Sequence, residues 1–314
     1  MDKTPQPVFI IGKHRSGTSW LGNLLAEHPE IYGVQKPDRH GIWESLYFTH
    51  VAEVFQTIDT TTETGFEEWA DFISRTNYFR FSPLSVSELS EVGPAPFDVL
   101  FHRLMDRASR KKGATVWIEK SPPHTLVASY IAKAFPTAKF IAITRNFEDW
   151  LRSSIKHSKR TGRLGSDSVL SRLYLIAKLV GERVLYEAAI DSLKEEYGDR
   201  VLHIRYEDLR YEHRDTKQKI FSFTDVGSLS DRISSKYEPN SSFESREDKR
   251  TESVLSGAEW KLARFIQFSL SLFPSEGTRL LTMLLLRIRD VRGRPTLDWF
   301  FRPNAVEENE PSPQ

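Results

Sequence analysis

The chain has 314 residues, of which 39% are hydrophobic and 28% are charged, a balance typical of globular proteins rather than disordered or fibrous ones. Lysine and arginine number 44 against 43 aspartates and glutamates, and the resulting net charge of +1 argues against a general nucleic-acid binder. Because the chain contains no cysteine, disulfides, thiolate metal sites and cysteine nucleophiles are excluded together.

The sequence contains no candidate for a membrane span. Its first seven residues are polar and include no signal-peptide core. The most lipid-like stretch, residues 280–286, is flanked by arginines and is too short to cross a bilayer. We therefore expect a soluble, cytoplasmic protein. Residues 279–294 are basic and apolar, which predicts an amphipathic helix packed on the domain, with contact to a membrane or a lipid acceptor as the alternative.

Four short apolar runs predict the core of the fold. They occupy residues 8–11, 115–118, 140–143 and 201–204. Runs of this length without alternation are typical of strands buried on both faces of a parallel sheet, and the helical patterns between them are typical of βαβ units. One of these helices is expected to begin after Asp167 or Ser168 and to end at Gly198. The sequence therefore predicts an α/β fold with a central parallel sheet flanked by helices.

The domain organisation follows from the spacing of these runs. Residues 1–303 are predicted to form one domain. Residues 35–114 separate the first two core strands, and we interpret them as an insertion on the acceptor side. The aromatic residues of this insertion suit a pocket wall or ordinary core packing equally well. Residues 304–314 are acidic and contain proline, which predicts a disordered tail.

Polar, cation-bearing residues follow each predicted strand. Residues 12–19 follow the first strand, and Lys120, Arg145 and Arg205 each lie just beyond one of the other three. In an open parallel sheet, ligands bind beyond the carboxyl ends of the strands. We therefore expect these loops to gather at one edge and to form an anion-binding active site.

The first loop is typical of a phosphate-binding turn. A strand, a glycine-rich turn and a helix starting near Thr18 direct backbone N–H groups and the helix dipole toward an anion. The spacing from Gly12 to Gly17 matches the start of the G-x-x-x-x-G-K-[ST] pattern. Thr18, however, stands where nucleoside triphosphatases and their related kinases carry lysine, and the cation of this loop is Arg15. The loop therefore favours an anion other than Mg²⁺-bound ATP.

The same residues resemble the 5′-phosphosulfate loop of sulfotransferases that use 3′-phosphoadenylyl sulfate (PAPS), above all in the bacterial and tyrosylprotein branches. The resemblance spans residues 8 to about 260 and implies the sulfotransferase version of the fold of P-loop nucleoside triphosphatases. It assigns donor binding in this loop to Arg15, Ser16, Gly17, Thr18, Ser19 and Trp20, with Trp20 stacked on the adenine. The pair His28-Pro29 also occupies the place of a His-Pro pair in these branches.

A second signature of the family is Arg145 with Ser153 eight residues later. The resemblance implies that these two side chains hold the 3′-phosphate. An arginine in the loop and a serine about two helical turns further can both face one ligand. Phe147 stands where the family usually has proline.

Three further assignments follow from the resemblance. Lys120 lies where related enzymes place a lysine near the transferring sulfonate. Tyr206 matches a tyrosine that approaches the adenine. Arg250, with Arg246 and Lys249, matches a late basic loop that closes over the 3′-phosphate.

The reaction implied is transfer of SO₃ from PAPS to an acceptor hydroxyl or amine, with no metal expected. A general base must take the acceptor proton. Glu44 is the first candidate for this base, His40 the second and His124 the third. The acceptor, which is a small molecule, carbohydrate, lipid or peptide, and the oligomeric state stay open. Two alternative functions remain: a nucleotide-dependent kinase of the P-loop type, and a non-catalytic nucleotide-binding module.

Overall fold

The computed structural model of the protein describes residues 4–35, 41–162, 168–227 and 254–271. Its centre is a sheet of five strands, in which every neighbouring pair is parallel. The strands are β1 (Gln6–Ile11), β2 (Ile31–Tyr32), β3 (Val116–Lys120), β4 (Lys139–Thr144) and β5 (Val201–Arg205). The spatial order is β2-β3-β1-β4-β5. The predicted fold class is confirmed; β2 was not predicted because two residues give no readable pattern.

Burial explains why the three inner strands show no alternation in sequence. In β1, β3 and β4 nearly every residue is buried, whereas in β5, at the edge of the sheet, His203 and Arg205 are exposed. Phe9, Trp117 and Phe140 point to one face of the sheet and join one hydrophobic cluster. Their neighbours along the strands join a second cluster on the other face, together with α1 and α11.

Twelve α-helices occur in the described residues. They are α1 (Thr18–Ala26), α2 (Ala52–Phe55), α3 (Glu63–Ser74), α4 (Asn77–Arg80), α5 (Val86–Ser90), α6 (Phe97–Lys111), α7 (Ala128–Ala134), α8 (Phe147–Arg160), α9 (Val169–Tyr197), α10 (Tyr206–Tyr211), α11 (His213–Phe223) and α12 (Gly257–Ser271). A π-helical turn spans Tyr47–Val51, and 3₁₀ turns span Pro122–Val127 and Gly198–Arg200. None of the helices described is long and apolar enough to cross a membrane.

Helix α9 has the boundaries that the sequence predicts. The Ser168 side chain accepts a hydrogen bond from the N–H of Ser171 at 3.2 Å, and Gly198 follows the last helical residue. The alternative cap, Asp167, lies outside the described residues. Side chains of α8, α9 and α12 form a third hydrophobic cluster around Trp150, Ile176 and Ala263.

The insertion packs its aromatic residues into the main core. Tyr47, Phe48, Phe55 and Trp69 are all at most 6% exposed. Phe48 contacts Phe9 of the central strand, with ring centroids 6.0 Å apart. These residues therefore serve core packing, one of the two roles that the sequence left open.

Candidate functional site

The loops that follow β1, β3, β4 and β5 meet at the carboxyl edge of the sheet. Arg145 Nη1 donates to the carbonyl oxygen of Arg15 at 3.2 Å, and Lys120 Nζ lies 3.5 Å from Ser19 Oγ. The N–H of Asn146 donates to Glu207 Oε1 at 2.9 Å. Side chains far apart in the chain are thus brought to one side of the phosphate-binding turn.

The predicted phosphate-binding turn, residues 12–19, has a backbone that glycine favours. Gly12 and Gly17 have φ values of 147° and 104°, and Arg15 has a φ of 73°. A Cβ atom on Gly17 would lie 2.5 Å from Tyr206 Cδ2, so the aromatic ring packs directly on the turn. The N–H of Ser16 closes the turn on the carbonyl of Lys13 at 3.0 Å. Gly17, the N-cap residue of α1, has no side chain to cap the first N–H groups of the helix, and such groups suit an anion.

The two sequence signatures are in direct contact. Arg15 Nε donates to Ser153 Oγ at 3.3 Å, although 138 positions separate the two residues. The guanidinium of Arg145 stacks on the ring of Tyr206, 4.4 Å from its centroid. Ser153 is buried on α8, one helix behind the turn. A pair of arginines and a buried hydroxyl therefore lie together, a donor set suited to phosphate or sulfate oxygens.

Trp20 and Tyr206 pack edge to face, with ring centroids 5.3 Å apart. His213 lies parallel to Trp20 at 6.1 Å. Trp20 is only 5% exposed, and its Nε1 is buried with no hydrogen-bond partner among the described residues. Stacking of Trp20 on an adenine and approach of Tyr206 to it both stay predictions.

Lys120 and Glu44 form an ion pair beside the phosphate-binding turn. Lys120 Nζ lies 2.6 Å from Glu44 Oε1. The lysine side chain is 3% exposed, whereas that of Glu44 is 25% exposed. The carboxylate is therefore the solvent-facing member of the pair.

The third base candidate, His124, is fully buried. Its Nδ1 lies 2.8 Å from Glu119 Oε2, and its Nε2 accepts from the N–H of Phe48 at 3.1 Å. Burial acts to raise the pKa of Glu119, but His124 and the hydroxyls of Ser121 and Ser45 outweigh burial and hold that pKa below its ordinary value. Both ring nitrogens of His124 are thus engaged inside the core.

Two of the predicted site residues, His40 and Arg250, lie outside the described residues, as do Arg246 and Lys249. The structure therefore places neither the second base candidate nor the late basic loop. In the described part of the chain, no group of three or more His, Asp or Glu side chains is arranged to hold a metal ion.

His14 is a site residue that the sequence analysis did not select. Its side chain is exposed, while its neighbours in the turn are buried or half-buried. The surrounding protein desolvates the imidazole and, with Lys13 and Lys120, lowers its pKa to about 4 against the opposing effect of Glu44. A neutral imidazole near two lysines can accept a hydrogen bond that a lysine cannot. Its position inside the glycine-rich turn was the signal available in the sequence.

Helix α9 supplies a wall of the site that no sequence signal indicated. Lys13 Nζ pairs with Glu182 at 2.5 Å and lies 4.5 Å from the centroid of the Tyr186 ring. Burial raises the pKa of Tyr186 well above its ordinary value, with Glu182 and Glu44 adding to the effect. Arg183, which follows Glu182 in the helix, donates to the carbonyl of Arg145 at 2.8 Å.

A sequence model of the sulfotransferase family matches residues 7–231, and the chain therefore belongs to this family. No curated protein sequence matches the chain. Solved structures similar to it include the sulfotransferase domain of the Synechococcus PCC 7002 olefin synthase, at 15% identity, covering 87% of this chain and 97% of that one, with a TM-score of 0.49. A sulfotransferase from Alicyclobacillus acidocaldarius is 16% identical, with 84% and 96% covered and a TM-score of 0.44. Mouse sulfotransferase SULT7A1, solved with PAP, is 15% identical, with 84% and 64% covered and a TM-score of 0.39.

Proposed function

We propose that this protein transfers a sulfuryl group from PAPS to a hydroxyl or amine of an acceptor and releases adenosine 3′,5′-bisphosphate (PAP). The observation that carries this proposal is the contact between Arg15 and Ser153 at the uncapped start of α1, with Arg145 bonded to the same turn. Membership in the sulfotransferase family supports the reaction class.

The residues of the site fit a donor with two separate anionic groups. The glycine-rich turn and Arg15 suit the 5′-phosphosulfate, because a helix N-terminus and a guanidinium both donate to oxyanions. Arg145 and Ser153 suit the 3′-phosphate. The buried Nε1 of Trp20 has no partner among the described residues and lies beside Tyr206, which supports an aromatic pocket for a base at this end.

In the proposed reaction, the acceptor oxygen or nitrogen bonds to sulfur while the bond from sulfur to the 5′-phosphate oxygen breaks. Lys120 donates to the sulfonate and bridging oxygens, whose charge grows at the transition state. Glu44 takes the acceptor proton, which it later releases to solvent. The ion pair between these residues holds the base and the cation on the same side of the turn, where donor and acceptor must meet in line.

Two observations disfavour the kinase alternative. Thr18 occupies the place of the lysine that grips the terminal phosphates of a nucleoside triphosphate. The amine of Lys13, the other lysine near the turn, is paired with Glu182. A non-catalytic module would bind the donor in the same way but would not transfer the sulfuryl group.

The proposal is tested by calorimetric titration with PAP and with ATP, each with and without Mg²⁺. We expect PAP to bind without metal and ATP to bind much more weakly. R15A should weaken PAP binding, whereas R75A, which changes an exposed arginine of the insertion, should leave it unchanged. Preference for ATP with Mg²⁺ over PAP would reject the proposed sulfotransferase function. Sulfuryl transfer to a panel of hydroxyl and amine compounds then separates the enzyme from the non-catalytic module.

A further inference from the structure

Arg183 is a buried arginine near the proposed donor site that has no assigned role. Only 7% of the residue is exposed. Its Nη2 donates to the carbonyl oxygen of Arg145 at 2.8 Å and pairs with Glu187 at 2.6 Å. The guanidinium also lies over two rings of α8, 5.4 Å from the centroid of Phe147 and 5.0 Å from that of Trp150.

These contacts fix the peptide that connects β4 to α8. Asn146, the next residue, caps α8 by accepting from the N–H groups of Glu148 and Asp149. The carbonyl of Arg145 therefore lies at the point where the chain turns from strand to helix. Without Arg183, this buried carbonyl would lose a charged hydrogen-bond donor. The connection between β4 and α8 would then lose the contact that orients it.

The same contacts reach the phosphate-binding turn. Trp150, which Arg183 covers, donates from Nε1 to the carbonyl of His14 at 2.9 Å. Arg145 itself donates to the carbonyl of Arg15 at 3.2 Å. Arg183 thus contacts two residues that each hold the backbone of the phosphate-binding turn, and it does so from a helix distant in the chain.

We propose that Arg183 is a positioning residue that holds Arg145 in the orientation needed for the 3′-phosphate before the donor binds. The inference rests on the proposed function and deepens it. Arg183 acts through Arg145, because its Nη2 group is already bonded to protein oxygens and its guanidinium lies over two rings of α8. A pre-oriented arginine binds phosphate more tightly than a mobile one, since less conformational freedom is lost on binding.

The test compares PAP with adenosine 5′-phosphate, which lacks only the 3′-phosphate. In R183M we expect the Kd of PAP to rise about tenfold, the scale of one lost buried hydrogen bond, while the Kd of adenosine 5′-phosphate changes less than about twofold. R183K keeps a cationic donor, so its preference for PAP over adenosine 5′-phosphate should fall less than that of R183M. Thermal unfolding of each variant is measured in parallel.

Arg172 provides a matched control on the same helix. It also joins a glutamate and a backbone carbonyl, namely Glu259 at 2.7 Å and Val254 at 3.1 Å, but these belong to the α12 region. R172M should lower the unfolding temperature without changing the ratio of the two affinities. A merely structural role of Arg183 predicts the same behaviour for R183M.

The outcomes separate this inference from the proposed function. If wild-type protein does not bind PAP, the proposed function fails and the inference fails with it. If wild-type protein prefers PAP and R183M keeps that preference, only the inference is overturned. Should R183M not fold, R183Q, which removes the charge of the side chain, takes its place, and an unchanged preference for PAP in R183Q would overturn the inference as well.

Discussion

Glu44 and Lys120 form the pair on which the proposed chemistry depends, and they respond differently to substitution. E44Q removes the proton acceptor but keeps a side chain of the same size beside Lys120. We expect PAP to bind as in wild type and turnover to fall by about 10²- to 10⁴-fold, the usual contribution of a general base. PAP release is measured with an acceptor found by screening, and E68Q, an acidic residue of α3, is the control. Undiminished turnover in E44Q would reject Glu44 as the base.

His14 makes the stability of the protein depend on pH in a defined window. Desolvation by the surrounding protein, with Lys13 and Lys120 nearby, holds its pKa at about 4 in the folded protein, below the ordinary value of 6.5. The unfolded chain therefore takes up a proton between pH 6.5 and 4 that the folded chain does not. The stability linked to neutral His14 is complete above pH 6.5 and is lost as the pH falls toward 4.

This effect can be measured by denaturant unfolding of wild type and H14Q at pH 7.5 and pH 5. We expect the free energy of unfolding to drop less in H14Q than in wild type, because glutamine does not titrate. The difference between the two proteins in this drop is reduced by solvent screening, since His14 is exposed. Equal losses in the two proteins would show that His14 titrates alike in the folded and unfolded chains.

At the scale of elements, α3 shows how the insertion depends on one close contact. Thr62 caps α3 by accepting from the N–H of Gly65 at 3.1 Å, and Gly65 backs onto the carbonyl of Asp59. A Cβ atom there would overlap backbone that cannot easily move. We expect G65A to cost about 1–3 kcal/mol in the free energy of unfolding, while the Kd of PAP stays unchanged because α3 supplies none of the donor-site contacts described.

Gly181 is the matched control for this prediction. It lies inside α9, and a Cβ atom there would meet nothing within 4 Å. G181A should therefore raise the free energy of unfolding by about 0.5–1 kcal/mol, through helix propensity alone. Urea unfolding measures both variants. If G65A left the free energy of unfolding unchanged, Asp59 and its turn would have to move aside without cost.

At the scale of the whole molecule, the insertion and the sheet share one core. Trp117 of β3 packs against Phe101 of α6 at 6.0 Å, and Tyr47 and Trp69 of the insertion belong to the same cluster. We therefore predict one cooperative thermal transition, with equal calorimetric and van't Hoff enthalpies, as expected for a single domain. PAP should raise the temperature of this single transition. Two transitions, of which PAP moves only one, would separate the insertion as its own domain.

The amino-acid sequence by itself determined the parallel sheet, its four longer strands and the loops that bear the proposed donor site. These features have local causes: unbroken apolar runs mark buried strands, and glycines at positive φ mark a tight turn before a helix. Arg145 and Ser153 were selected through the family resemblance, whose second signature lies within one loop and the helix after it. Strand β2 was not predicted, because a pattern of two residues is too short to indicate a strand.

Only the tertiary structure decided which distant residues meet. Contact between Arg15 and Ser153, the pairing of Lys120 with Glu44 and the engagement of both nitrogens of His124 in the core depend on long-range packing. The same is true of Arg183, because nothing in the sequence of its helix relates it to Arg145. Neither spacing nor composition records such contacts, because they arise when separate elements are packed against one sheet edge.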